Sequence, residues 1–161
     1  MESLQSITQA VISGNKEKVV GFIKTNPSAV NEFSEDGWTL LHLAAYFGQK
    51  EIASFLLESS ADIHIRAKNE NTPLQAAIAN KQSELVAFLI EKGSEVNVMQ
   101  SGGWTGLHEA ALLGNEEIIM LLLENGANKT IKKNDGKTAY DIALEKGHNH
   151  LLHYLQLGVN V

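Results

Sequence analysis

Apolar residues along this chain come in short bursts at helical spacing, and the bursts return on a fixed step. The stretch Asp36 to Glu58, DGWTLLHLAAYFGQKEIASFLLE, shows the unit: a turn, a short helix, a Gly break and a second apolar helix. Thr39 comes back at Thr72, Thr105 and Thr138, a step of 33 residues each time. A fixed period of this size predicts a solenoid of stacked helical units, and such a chain is expected to recognise partners rather than catalyse. Second helices are predicted at Glu51–Glu58, Glu84–Glu91, Glu117–Glu124 and about His150–Gln156. Their predicted apolar faces are Ile52, Phe55, Leu56 and Leu57, then Leu85, Phe88, Leu89 and Ile90, then Ile118, Leu121, Leu122 and Leu123.

The N-terminal segment follows the pattern loosely. Leu4, Ile7, Ala10 and Val11 predict a helix over Ser3 to Ile12 that Gly14 ends. Val19, Val20, Phe22 and Ile23 predict a second over Lys16 to Ile23, stopped at Asn26-Pro27. Gln5, Thr8, Gln9 and Ser13 make the first helix more polar than its counterparts, as expected of a terminal repeat with one neighbour. At the other end, Leu157-Gly158-Val159-Asn160-Val161 resembles a shortened inter-repeat turn.

Local chemistry fits helix starts and stops. A Thr before each first helix caps free N–H groups, and Pro73 sits where a missing N–H costs nothing. Paired alanines (Ala44/Ala45, Ala110/Ala111) let helices approach closely. Gly48, Gly114 and Gly147 permit a left-handed residue between the two helices; Lys81 holds that slot in the third repeat, where Asn80 is expected to supply the turn.

The core signatures Thr39-Leu40-Leu41-His42-Leu43-Ala44-Ala45, Thr72-Pro73-Leu74-Gln75-Ala76-Ala77 and Thr105-Gly106-Leu107-His108-Glu109-Ala110-Ala111 resemble the Thr-Pro-Leu-His-x-Ala pattern of ankyrin repeats. The turns Ser60-Ala61-Asp62-Ile63, Gly93-Ser94-Glu95-Val96 and Gly126-Ala127-Asn128 fit the same family. The resemblance covers nearly the whole chain. It implies an all-α ankyrin-repeat solenoid of helix-turn-helix units with short β-turn protrusions, as one domain over 1–161. Its repeats run 3–35 (a divergent cap), 36–68, 69–101, 102–134 and 135–158 (a second cap). It further implies a protein–protein interaction module, an adaptor, inhibitor or regulator working through a concave surface of turn tips and first-helix ends.

Composition narrows the partner. Apolar residues are 43% and charged residues 20%, which fits a packed domain and not a disordered chain. The net charge of −6 argues against a phosphate-backbone partner, so another protein is expected and nucleic acid is not. A basic or mixed partner surface fits that charge best. Without cysteine there is no disulfide, thiolate site or cysteine nucleophile. The N-terminus lacks the basic and apolar regions of a secretory signal, and no apolar run is long enough to span a membrane. The expected protein is a cytoplasmic monomer, not an enzyme, with no membrane partner, cofactor or metal.

Several residues are candidates for chemistry. His42 and His108 are read as structural, because the resemblance implies an imidazole that bonds the turn backbone and bridges repeats. His148, His150 and His153 are the densest imidazole cluster and carry the alternative reading, a metal or small-ligand site, against which stands a solvated cap face. Asn97 resembles an asparagine that oxygenases hydroxylate in some ankyrin repeats, and also suits a turn. No phosphate-binding Gly loop is present.

The partner-binding set is Trp38, Tyr46, Phe47, Asn71, Trp104, Leu112 and Leu113, the slots where the expected binding face is most apolar, with Asn71 between the tryptophans. Trp38 and Trp104 are the only tryptophans and occupy one slot 66 residues apart, which at ordinary helix spacing predicts rings on the order of 20 Å apart. The competing reading is that these rings fold over the helix ends and shield the core.

Overall fold

A computed structural model describes residues 3–158, and residues 159–161 of the C-terminal turn lie outside them. The chain forms two compact units, residues 1–94 and 95–161. Among the described residues there are ten α-helices and no strand.

The first unit holds three helix pairs. They are α1 (Leu4–Ile12) with α2 (Lys16–Thr25), α3 (Leu40–Tyr46) with α4 (Lys50–Glu58), and α5 (Pro73–Ala79) with α6 (Ser83–Glu91). First helices pack side by side, α1 on α3 and α3 on α5; second helices do the same, α2 on α4 and α4 on α6. The second unit repeats the design with α7 (Gly106–Leu113) against α8 (Glu116–Glu124) and α9 (Ala139–Glu145). Its last helix is short: a 3-10 turn over Asn149–Leu151 precedes α10 (Leu152–Leu155), where the sequence predicts a longer helix. Among the described residues no helix is long and apolar enough to cross a membrane.

Small side chains set the spacing of the first helices. Ala44, Ala45, Ala76 and Ala77 are fully buried in one unit, as are Ala110, Ala111 and Ala143 in the other. The second helices bury a stripe turned one position from the predicted one. It runs Ile52-Ala53-Leu56, Leu85-Val86-Leu89 and Ile118-Ile119-Leu122, with Phe88 buried beside it as predicted. Phe55, Leu57, Ile90, Leu121 and Leu123 are half-buried on its flank. Each second helix must face both its own first helix and the neighbouring pair, so the residue after the leading isoleucine or leucine turns inward. Truncating Leu56 or Leu89 to Ala removes a fully buried side chain, worth about 2–5 kcal/mol. Thr8, on the polar α1, is buried as well; its hydroxyl donates to the Gln5 carbonyl at 2.7 Å.

Interlocking side chains place one repeat on the next. Gly114 has φ +69°, and a Cβ there would meet the His148 ring at 2.7 Å, because that ring donates from Nε2 to the Leu112 carbonyl at 3.2 Å. Gln49 does the same at Gly14, its Nε2 donating to the Ile12 carbonyl at 3.2 Å. Gln82 lies over Gly48 in like manner.

The third repeat corrects one expectation. Lys81 itself adopts the left-handed conformation, with φ +57°, while Asn80 does not. Asn80 donates instead from its side chain to the Tyr46 carbonyl at 2.9 Å. A non-glycine residue in this conformation is strained by about 1–2 kcal/mol. Lys81→Gly should therefore raise stability by roughly 0.5–1 kcal/mol in urea unfolding, net of glycine's entropy in the unfolded chain. A loss of stability would show that the Lys81 side chain holds the turn.

Candidate functional site

The first helices α3, α5, α7 and α9 each begin on a threonine and are closed three residues later, while α1 is capped by Ser3 alone. In α3 the Thr39 N–H donates to Nδ1 of His42 at 3.3 Å, and the Thr39 hydroxyl lies 2.8 Å from the same nitrogen. Nε2 on the far side of the ring lies 2.8 Å from the Asn71 carbonyl in the next repeat. A backbone N–H can only donate and a carbonyl can only accept, so the ring is neutral with its proton on Nε2. His108 repeats this, with Thr105 N–H at 3.1 Å and the Lys137 carbonyl at 3.2 Å. Gln75 and Asp141 close the other two boxes through Thr72 and Thr138. The Thr138 N–H and hydroxyl hold the Asp141 carboxyl below the usual carboxylate range.

Burial pushes both imidazoles below the ordinary histidine range, only partly opposed by the Asn71 and Lys137 carbonyls; at His108 the Lys133 charge adds to the effect. Both histidines are thus scaffold, inaccessible and poised to stay neutral.

The seven residues of the predicted partner-binding set fall into two groups. In the first unit, Trp38, Tyr46 and Phe47 make one continuous aromatic run. Trp38 lies 5.9 Å from the His42 ring and 5.4 Å, edge on, from Tyr46; Tyr46 lies 5.1 Å from Phe47. Trp38 and Tyr46 are half-buried, and Phe47 is 38% exposed. Asn71 contributes its backbone, accepting from His42 and from the Ala67 N–H at 2.9 Å.

In the second unit, Trp104 lies 6.0 Å from the His108 ring, with Lys133 Nζ 5.2 Å from its centroid. Leu112 and Leu113 are half-buried at the end of α7. Each tryptophan therefore covers a capping histidine, as the shielding reading expects, while keeping part of its surface open. No acceptor among the described residues takes either indole N–H or the Tyr46 hydroxyl. The only buried side-chain polar atom without a partner among them is Ser94 Oγ, so these three polar tips reach solvent.

Two features escaped the sequence reading. Lys133 sits over Trp104 because Asp135 pairs with its ammonium on the turn. Glu109, on α7, is half-buried in a slot that Leu43, Ala76 and Ile142 fill in the second, third and fifth repeats. Its departure from an apolar slot was the signal available.

The three C-terminal histidines do not form one cluster. His148 is spent on the Leu112 carbonyl, with the exposed His150 ring edge-on to it at 6.1 Å, and His153 lies tilted 3.8 Å from Tyr154. Among the described residues no three His, Cys, Asp or Glu side chains are grouped to hold a metal ion. Asn97 closes a turn: it donates to the Gly126 carbonyl at 3.0 Å and accepts from the Asn128 N–H at 2.8 Å. A groove of about 760 Å³ lies over the second helices of the first unit, but none of the seven residues lines it. Its charged groups pair with one another, Lys16 with Glu51 at 3.3 Å and Lys50 with Glu84 at 2.9 Å.

Residues 7–100 and 92–161 match the pattern of ankyrin repeats (3 copies). The chain is 43% identical over 65 residues to the human NAD-capped RNA hydrolase NUDT12, covering 40% of this chain and 14% of that protein. It is 36% identical over 63 residues to the mouse ankyrin repeat and SAM domain-containing protein 6, covering 39% and 7%. With the mouse neurogenic locus notch homolog protein 1 the identity is 36% over 74 residues, covering 42% and 3%. The shared segments are thus a small part of each of these larger proteins.

A depressed histidine pKa has a defined consequence for stability. The neutral form is favoured in the fold, so the contribution is complete above the ordinary value of 6.5 and is lost as pH falls below it. Urea unfolding should show stability that declines once pH drops through about 6.5. His42→Gln with His108→Gln, which borrows the Gln75 solution, should flatten that decline; an unchanged profile would assign it to other groups. His42→Ala leaves a buried N–H and a carbonyl unpaired and should lose roughly 2–4 kcal/mol.

Proposed function

The chain belongs to the ankyrin repeat family, and on that premise we propose that it binds another protein through two surfaces, one in the first unit carrying Trp38, Tyr46 and Phe47 and one in the second carrying Trp104, Leu112 and Leu113. Ankyrin repeats are generally protein–protein interaction modules. The finer reading is an adaptor, inhibitor or regulator in the cytoplasm, working as a monomer without catalysis of its own. The hydrolase activity in the name of one relative is not carried over, because only 14% of that protein is shared.

The observation that carries this reading is the pairing of apolar ring bodies seated on the scaffold with polar tips left open. Trp and Tyr side chains that bury an apolar body and offer a free donor at the rim are the common anchors of binding hot spots. Their seats on His42 and His108 also fix the rings before a partner arrives, which lowers the entropy lost on binding. Shielding and binding are compatible roles for the same rings.

Affinity capture from the source cells should compare the wild type with Trp38→Ala/Trp104→Ala and with Lys81→Gly as a folded control. A protein retained by the wild type and the control and lost by the double tryptophan variant supports the reading. The tryptophan changes should also lower stability less than His42→Ala does. Retention of every captured protein by the double variant would sink the proposal.

A further inference from the structure

Glu109 is the one acidic residue in a slot that the second, third and fifth repeats keep apolar, with polar Gln9 exposed there in the first: Leu43 is half-buried, Ala76 fully buried, and Ile142 4% exposed. The slot lies on a first helix, one turn before Leu112 and Leu113, and residues three and four apart share a helix face. The carboxylate is therefore carried on the face that holds the predicted partner-binding leucines, five residues after Trp104. Glu109 is half-buried, and burial alone raises its pKa, with no neighbouring charge contributing.

No hydrogen bond or ion pair among the described residues reaches this carboxylate. Lys133 is held by Asp135 and Lys137 by Glu145 at 2.8 Å, and neither bonds to Glu109. A half-desolvated, unpaired carboxylate is unfavourable in the free protein, and a leucine or isoleucine would suit the slot better. The unit's own charge favours a cation: residues 95–161 hold eight acidic side chains and five basic ones.

We infer that Glu109 is the receptor for an arginine of the partner, presented on a segment whose neighbouring residues are apolar. Leu112 and Leu113 take the apolar flanks, and the carboxylate takes the guanidinium. Arginine is favoured over lysine because a guanidinium is less strongly hydrated than an ammonium and pairs with a carboxylate through two parallel hydrogen bonds. This rests on the proposal that the Trp104 face is the binding surface.

The test uses a phage-displayed library of random 12-residue peptides, selected on the full chain and counter-screened on Trp104→Ala. Peptides that need Trp104 should be enriched in arginine over lysine beside apolar residues. Their affinity should fall ten- to hundredfold on Glu109→Gln, the range for a charge-assisted hydrogen bond. Glu109→Leu should lose the same binding while its melting temperature stays level or rises. Trp104-dependent peptides without arginine enrichment, or with unchanged affinity for Glu109→Gln, would overturn this inference and leave the interface standing. An absence of Trp104-dependent peptides would overturn both. A marked fall in melting temperature for both Glu109 variants would make the residue structural and overturn the assignment.

Discussion

The free N–H groups at the start of each first helix are the constraint on which the rest of this chain depends. A helix of seven or eight residues leaves half its length in need of outside partners at its ends. The threonine satisfies part of that need, and the residue three positions on satisfies the threonine's own N–H. Imidazole does more than this because its two nitrogens point opposite ways. Nδ1 closes the local box while Nε2 reaches a carbonyl of the next repeat. One side chain thereby ends a helix and fixes the position of its neighbour. Asp141 can only accept, so it closes its own box and reaches no further carbonyl as a donor.

The scaffold was largely legible in the sequence because its demands are local and repeated. The threonines, the paired alanines and the glycine breaks recur in phase, and each serves a need of the backbone within a few residues of itself. The reading fell short where a side chain answers to a neighbour instead. The buried stripe of the second helices takes in Ala53, Val86 and Ile119 because a second helix packs on more than its own partner, as α4 does on α2 and α6, which a single helix period cannot reveal. Lys81 bears the left-handed turn because Asn80 is needed for the Tyr46 carbonyl. The histidine-rich tail, read as a solvated cap face with a ligand site as the alternative, holds side-chain partners that one dimension does not show, with His148 directed toward Leu112 and His153 beside Tyr154.

The binding surface was legible in residue type and not in detail. Trp38 and Trp104 stood out as aromatic residues in a slot filled elsewhere by Asn71 and Lys137. Sequence alone posed shielding and binding as rivals. The geometry shows why they need not be: a ring can cover the capping histidine with its body and still offer its N–H outward. Desolvation by the ring helps keep the imidazole neutral, so the surface aromatic and the buried bridge support each other.

The contact between a bare glycine and the Gln or His of the following repeat bears on how such a chain can be recombined. Gly14 belongs with Gln49 and Gly114 with His148, although the partners stand 35 and 34 residues apart. A repeat is therefore not a self-sufficient brick: the recess is moulded in one and the peg that fills it is supplied by the next. Splicing within a repeat would separate recess from peg unless the incoming segment carried a matching residue. Cuts placed in the long turns, with the Gly and Gln/His slots held constant, are the crossover points that would let a library of such chains exchange whole binding faces and keep their register.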